Sequence, residues 1–145
     1  MDLDAEILII EDDPNDAEMI FDILKNSGVS NKIQFLEDGA KAIEYISNVI
    51  YKSKKNLLVL PKLIMLDLKL PKINGLEVLR ELKSDERSKR IPVVILSSSR
   101  EESDIKISYD LGVNSYVVKP LIFDEFSNAI GNIASYWLDL NEIPK

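Results

Sequence analysis

Three short apolar runs, each delivering charge at its carboxyl end, are the strongest constraint on what this chain can fold into. Ile7-Leu8-Ile9-Ile10 ends in Glu11-Asp12-Asp13, Leu63-Ile64-Met65-Leu66 ends in Asp67, and Ser115-Tyr116-Val117-Val118 ends in Lys119-Pro120. The uninterrupted run Ile7–Ile10 is expected of a strand buried on both faces, as in a parallel sheet covered by helices. In an open sheet of that type the carboxyl ends of the strands share one edge. Acid, acid and base from three distant stretches can therefore meet in one crevice.

Between the runs lie helical patterns, the alternation expected of βα units. Asp13 is placed as a helix N-cap with Pro14 at the first helical position, Ala17, Ile20, Phe21 and Leu24 share one face, and Gly28 ends the helix. Residues 32–36 read as a second strand, and Asp38-Gly39 as the turn into a helix carrying Ala42, Ile43, Ile46 and Ile50. Residues 51–60 read as an extended connection before Pro61, and 63–66 as the third strand. Pro71 and Gly75 bracket a loop, and Leu76, Leu79 and Leu82 mark the next helix. Residues 92–96 form the fourth strand, after which Ser99 and Glu102 make an S-x-x-E capping box for a helix ending near Gly112. After the fifth strand, 115–118, a last helix places Phe126, Ile130, Ile133 and Trp137 on one stripe.

Five βα units with right-handed crossovers leave few topologies. The favoured one is an α/β, flavodoxin-like, doubly wound five-stranded parallel sheet in the order 2-1-3-4-5, with five helices. In that order the winding reverses between the first and third strands, where Glu11, Asp12 and Asp67 sit. The acid cluster thus falls in the ligand crevice of the fold.

The bulk numbers remove whole classes of function. At 145 residues and 46% hydrophobic, the chain fits one domain with a proper core. Without cysteine it has no disulfide, no thiolate metal site and no Cys nucleophile. Without histidine it lacks His-based triads and most zinc sites, and it has no phosphohistidine to pass a phosphoryl group onward. A formal charge of −7 argues against a nucleic-acid surface. Lys52, Lys54 and Lys55 form the one dense basic cluster, which reads as a solvated loop. No apolar stretch approaches the ~20 residues that span a bilayer. The acidic start Met1-Asp2-Leu3-Asp4 lacks the basic region of a secretory signal, so a cytoplasmic location is expected.

Several carboxylates a few ångströms apart repel, and a bound cation relieves this more readily than raised pKa values do. Magnesium suits such a site, since it binds through one or two carboxylates, keeps waters and accepts phosphate oxygens. Asp67 is then placed to attack a phosphoryl group, with the Lys119 ammonium neutralising the transferred oxygens. Ser97, at the end of the fourth strand, has a hydroxyl that can donate to the new phosphate.

These motifs, in this order, resemble a two-component response-regulator receiver domain over residues 5–137, with 138–145 as a C-terminal tail. The resemblance implies that Glu11 and Asp12 are the acidic pair, with Asp12 a direct metal ligand, and that Asp67 is the phosphoacceptor. It further implies that Lys69 lends its backbone carbonyl to the metal, that Ser97 is the hydroxyl switch and Tyr116 the aromatic switch, and that Lys119-Pro120 is the conserved-type Lys-Pro pair, usually with a cis peptide. The stretch Asp67-Leu68-Lys69-Leu70-Pro71-Lys72-Ile73-Asn74-Gly75 follows the family pattern D-x-x-[LM]-P-x-x-[DN]-G. The implied function is a single-domain response regulator. It is phosphorylated on Asp67 by a sensor histidine kinase with Mg2+, and signals through protein contacts to a downstream protein rather than by turning over a substrate.

Simpler readings hold for several residues. Asp13 reads as a helix cap, and Ser98 and Ser99 as turn and cap residues. A magnesium phosphatase of the haloacid-dehalogenase type is the enzyme alternative, but it requires a second Asp two residues after the nucleophile, and that position is Lys69. A degenerate receiver serving as a scaffold is a third reading, set aside because every phosphorylation residue is present. About 25 residues follow Lys119-Pro120, room for one helix and a short tail, so output is expected through protein contacts. The apolar tail from Tyr136 to Pro144 either caps the last helix against the core or forms a homodimer surface. Its form is similar to that of stand-alone regulators partnering phytochrome-type kinases.

Overall fold

The computed structural model describes residues 4–51 and 60–143. Residues 52–59 of the expected extended connection, with its lysine cluster, lie outside the described residues, as do Pro144 and Lys145.

The central strands are fully buried, because β-branched and leucine side chains can be buried on both faces of the pleat while the ladder satisfies the backbone, and the two edge strands are half-buried. Strand β1 is Ile7–Ile10, β2 Ile33–Leu36, β3 Leu63–Leu66, β4 Val93–Ser97 and β5 Ser115–Val118. All four pairings are parallel, and the order is β2-β1-β3-β4-β5. The expected topology is therefore the observed one. Side chains alternate strictly between two cores. Leu8, Ile10, Ile64, Leu66, Val93 and Ile95 enter one; Ile7, Ile9, Leu63, Met65, Val94 and Leu96 enter the other. Each such side chain contributes roughly 1.5–3 kcal/mol by leaving water.

Helices α1 (Pro14–Asn26) and α5 (Phe123–Ala134) cover the second core, and α2 (Gly39–Tyr45) and α3 (Gly75–Ser84) the first, with α4 (Glu102–Asp110) leading into Leu111 and Val113 on that side. Asp13 caps α1 as expected, its Oδ1 accepting from Asn15 N at 2.8 Å and Asp16 N at 3.3 Å. The inner face of α1 differs by one residue from the expected one. Ile20, Ile23 and Leu24 are buried, whereas Phe21 lies outside, its ring 6.0 Å from Phe35. At 100° per residue, Ile23 lines up with Ile20 and turns Phe21 away. At the end of α2, Tyr45 is fully buried with the expected Ala42, and the expected Ile46 and Ile50 are buried in the π-helical turn Ile46–Ile50 that follows.

The capping box at Ser99 and Glu102 does not form. The cap residue of α4 is Glu101, and the Ser99 hydroxyl donates instead to Asp104 Oδ2 at 2.6 Å. Helix α5 continues from Ser135 to Leu140 as a π-helical turn, closed by Asn141 N on Tyr136 O at 2.7 Å. Its wider turn lets both Trp137 and Leu138 pack on the second core, leaving Tyr136 and Leu140 exposed. Lys83 ties two distant loops to the end of α3, donating to the carbonyls of Lys89 and Ile91 and to Asn114 Oδ1 at 2.8–3.0 Å. Among the described residues no helix is long and apolar enough to cross a membrane.

Candidate functional site

The sheet ladder extends one residue beyond the strands and so fixes the charged residues that follow them. Ile10 is level with both Leu36 and Leu66. One step further, Glu11 N donates to Leu36 O and Asp67 N to Ile10 O, both at 3.0 Å, while Lys119 N donates to Ser97 O at 2.8 Å. The side chains at this edge are thus held by backbone rather than by mobile loop. The loop after Asp67 folds tightly back: Lys69 N donates to Asp67 Oδ1 at 3.2 Å, and Gly75 N to Leu68 O at 2.8 Å. A Cβ at Gly75 would lie 2.3 Å from Asp67 O, so only glycine allows this approach.

The sequence-predicted acids come together. Glu11, Asp12 and Asp67 each place a carboxylate oxygen within 4.8 Å of the others. Ligands of an octahedral magnesium ion stand about 3 Å (cis) to about 4.2 Å (trans) apart, so a small closing movement of these side chains would bring this all-oxygen set onto a hard divalent cation that retains waters. Asp12 is exposed, whereas Glu11 and Asp67 are buried.

Lys119 joins them as expected, with its side chain only 12% exposed. Its Nζ donates to Glu11 Oε1 at 2.5 Å, Asp16 Oδ2 at 2.9 Å and Asp67 Oδ2 at 3.2 Å. Four acids facing one ammonium leave a net negative crevice, the electrostatic condition for a cation. Burial works against the Lys119 ammonium, but its hydrogen bonds to Glu11 and Asp16, with the charge of Asp67, outweigh it and raise the pKa above the ordinary lysine value. Burial pushes the Glu11 carboxyl up to about 7, against the Lys119 hydrogen bond, and the Asp67 charge adds to the rise.

That shift has a measurable consequence. Glu11 ordinarily titrates at 4.5 but near 7 in the fold, so between those values the folded state binds more protons than the unfolded one. Stability of the metal-free protein should therefore fall as pH rises from about 5 to about 8. Lys119 titrates above this window. Saturating magnesium should flatten the profile, since the cation favours ionised carboxylates. Melting curves across this range check it, and a rise in melting temperature with pH would contradict it.

Ser97 and Tyr116 meet on a third residue. Ser97 is fully buried and its Oγ accepts from Ser99 N at 3.2 Å, while the Tyr116 hydroxyl donates to Ser99 O at 2.9 Å. Ser99, read from sequence as a cap, instead connects both to Asp104 on α4. The Lys119-Pro120 peptide is trans, not the cis form that the resemblance implied.

Sequence reasoning missed Asp16. Its signal was present: Asp16 is the acid in the first turn of α1, just after the Asp13 cap and Pro14 and so at the same sheet edge as the acid pair. Beside it, an open recess is lined by Met19, Ser98, Lys119, Pro120, Leu121 and Phe123.

A parallel 2-1-3-4-5 sheet with paired acids, a strand-end Asp and a Lys at its reversal point defines a receiver of the two-component type. The response regulator receiver domain family matches residues 7–131, and the chain belongs to it. It is 36% identical to Response regulator Rcp1 of Synechocystis, over 95% of this chain and 92% of that protein. It is equally 36% identical to the probable methanogenesis regulatory protein FilR2 of Methanothrix harundinacea, over 95% and 86%. In structure it resembles the phosphorylated cyanobacterial phytochrome response regulator RcpA, with a TM-score of 0.86 at 38% identity over 97% of this chain and 99% of that one. It also resembles the Mn(2+)-bound form of Rcp1, with a TM-score of 0.86 at 35% identity over the same shares. Aspartate phosphorylation and divalent-metal binding are general to this family.

Proposed function

We propose that this chain is a single-domain response regulator that accepts a phosphoryl group on Asp67 from a sensor histidine kinase and signals through protein contacts. The observation that carries the reading is the Lys119 ammonium bridging Asp67 and Glu11 beside a cluster of three carboxylates. In this reading an Asp67 oxygen forms the new bond to phosphorus while the bond to the donor breaks and the donor leaves with the electron pair. Lys119 exchanges its Asp67 contact for a phosphoryl oxygen, and the buried Ser97 hydroxyl donates to another. Magnesium held by Asp12 and Asp67, with Glu11 through water and the Lys69 carbonyl, would neutralise charge on the transferred oxygens.

Support for the cation comes from the Mn(2+)-bound form of Rcp1, and for the phosphoryl group from phosphorylated RcpA. The hydrolytic alternative lacks its second acid, since Lys69 occupies that place. Exposed Leu121, Ile122 and Phe123, directly after Lys119-Pro120, offer an apolar contact for a phosphodonor protein. Capture of the phosphate by Ser97 would free the Ser99 amide, and Ser99 is the residue Tyr116 holds. Ser97 and Tyr116 would thereby pass the change to α4 and β5. The test is intact-mass measurement after acetyl phosphate treatment. One phosphoryl group should be gained with magnesium and none with chelator, and no gain in magnesium overturns the reading.

The second partner proposed is another copy of this chain, through the C-terminal helix and tail. Tyr136, Leu140 and Ile143 are 49%, 68% and 41% exposed on one short segment, while Trp137 and Leu138 are spent on the core. Tyr136→Lys with Leu140→Lys should leave a folded monomer by sedimentation at high micromolar concentration, where the parent chain should sediment as a dimer. A parent chain that is monomeric there, phosphorylated or not, removes the dimer.

A further inference from the structure

Lys119 has three N–H donors and meets three carboxylates, Glu11, Asp16 and Asp67. Glu11 and Asp67 belong to the acid cluster that fits a cation, and Asp16 does not. Asp16 sits at the third position of α1, after the Asp13 cap and Pro14. An acid at that position ordinarily reaches back to the N–H of the cap residue. Here the Asp13 N–H is already taken by Glu11 Oε2 at 3.2 Å. The Asp16 carboxylate turns to Lys119 instead, with its backbone held on the Asp13 side chain at 3.3 Å.

We propose that Asp16 is a positioning residue: it holds the Lys119 ammonium beside Asp67 while Glu11 and Asp67 engage the cation and the phosphoryl group. This rests on the phosphoacceptor reading above. Once those two carboxylates are shared with a cation, Asp16 is the one partner left to Lys119 whose charge is not drawn elsewhere. Without it the flexible four-carbon stem regains rotamer freedom, and the ammonium no longer waits where the transferred oxygens arrive.

The experiment compares phosphoryl uptake from acetyl phosphate, at saturating magnesium, in the parent chain, Asp16→Asn, Lys119→Gln and the double variant. Asp16→Asn should slow uptake about tenfold, the size of one lost charge-assisted hydrogen bond. Added to Lys119→Gln it should change the rate by less than about twofold, because the two act as a unit. Asp16→Glu, which keeps the charge, should regain part of the rate. An equal loss in both backgrounds means that Asp16 acts through its field or the fold, and overturns the proposal; so does an undiminished rate in Asp16→Asn. Magnetic resonance of the Lys119 ε-methylene gives a readout independent of uptake. Magnesium should shift that signal more in Asp16→Asn than in the parent, and equal shifts overturn the proposal. A parent chain that takes up no phosphoryl group sinks the phosphoacceptor reading alone, and the resonance comparison then decides whether Asp16 positions Lys119.

Discussion

Asp67→Asn is expected to abolish phosphoryl uptake completely while leaving the fold intact. The amide is the same shape, and its oxygen can still accept from Lys69 N, the contact that folds the loop over this residue. What is lost is the nucleophile, since a neutral amide oxygen does not attack phosphorus in water at useful rates, and among the described residues no other carboxylate is placed as Asp67 is. Glu11 is buried and engaged by Lys119 and Asp13 N, and Asp16 is engaged by Lys119. Asp12 is exposed, without the Lys119 contact that Asp67 has. Intact mass after acetyl phosphate and magnesium should show no adduct, with an unchanged circular dichroism spectrum. A phosphoryl group gained by this variant under the same conditions would move the acceptor elsewhere.

Asp12→Ala should weaken magnesium binding by on the order of 100-fold, removing a direct ligand from a site that has few. It should also raise the melting temperature of the metal-free protein. Asp12 contributes negative charge to a crevice that already holds Glu11 and Asp67 within 4.8 Å, and it is exposed, so its removal uncovers no core. The two effects have opposite sign in one variant, which separates loss of a ligand from damage to the fold. Phosphoryl uptake at ordinary magnesium concentrations should be lost with the affinity. Calorimetry giving equal magnesium affinity in variant and parent would falsify this cation site.

Strand positions were legible because burial on both faces demands continuous apolar side chains, and a run such as Ile7-Leu8-Ile9-Ile10 has little other use in a chain of this length. Topology followed from handedness and connection rules. The acid pair, Asp67, Ser97 and Lys119 were legible because each ends a strand, where the register alone places them on the shared edge. Where the reading slipped, the cause was local. Phe21 and Ile23 differ by two residues on α1, and apolar identity does not say which of them faces inward. The S-x-x-E pattern at Ser99 was real as a string, but α4 is capped two residues later, at Glu101, so the Ser99 Oγ accepts from Glu101 N at 3.3 Å while its hydroxyl donates to Asp104.

From its sequence alone this chain determines the order of elements, the two-sided core and the acids and lysine that share one edge, because side-chain period and strand register are local properties. Only the tertiary structure decided how Lys119 divides its three donors among Glu11, Asp16 and Asp67. It alone placed Ser97 and Tyr116 on opposite ends of the Ser99 residue and opened the last helix into a π turn that packs Trp137 and Leu138, both half-buried, on one core. Each of these is a competition between partners far apart in the chain. Hydrogen-bond geometry and desolvation settle such competitions, and neither exists until the sheet has brought the competitors within reach.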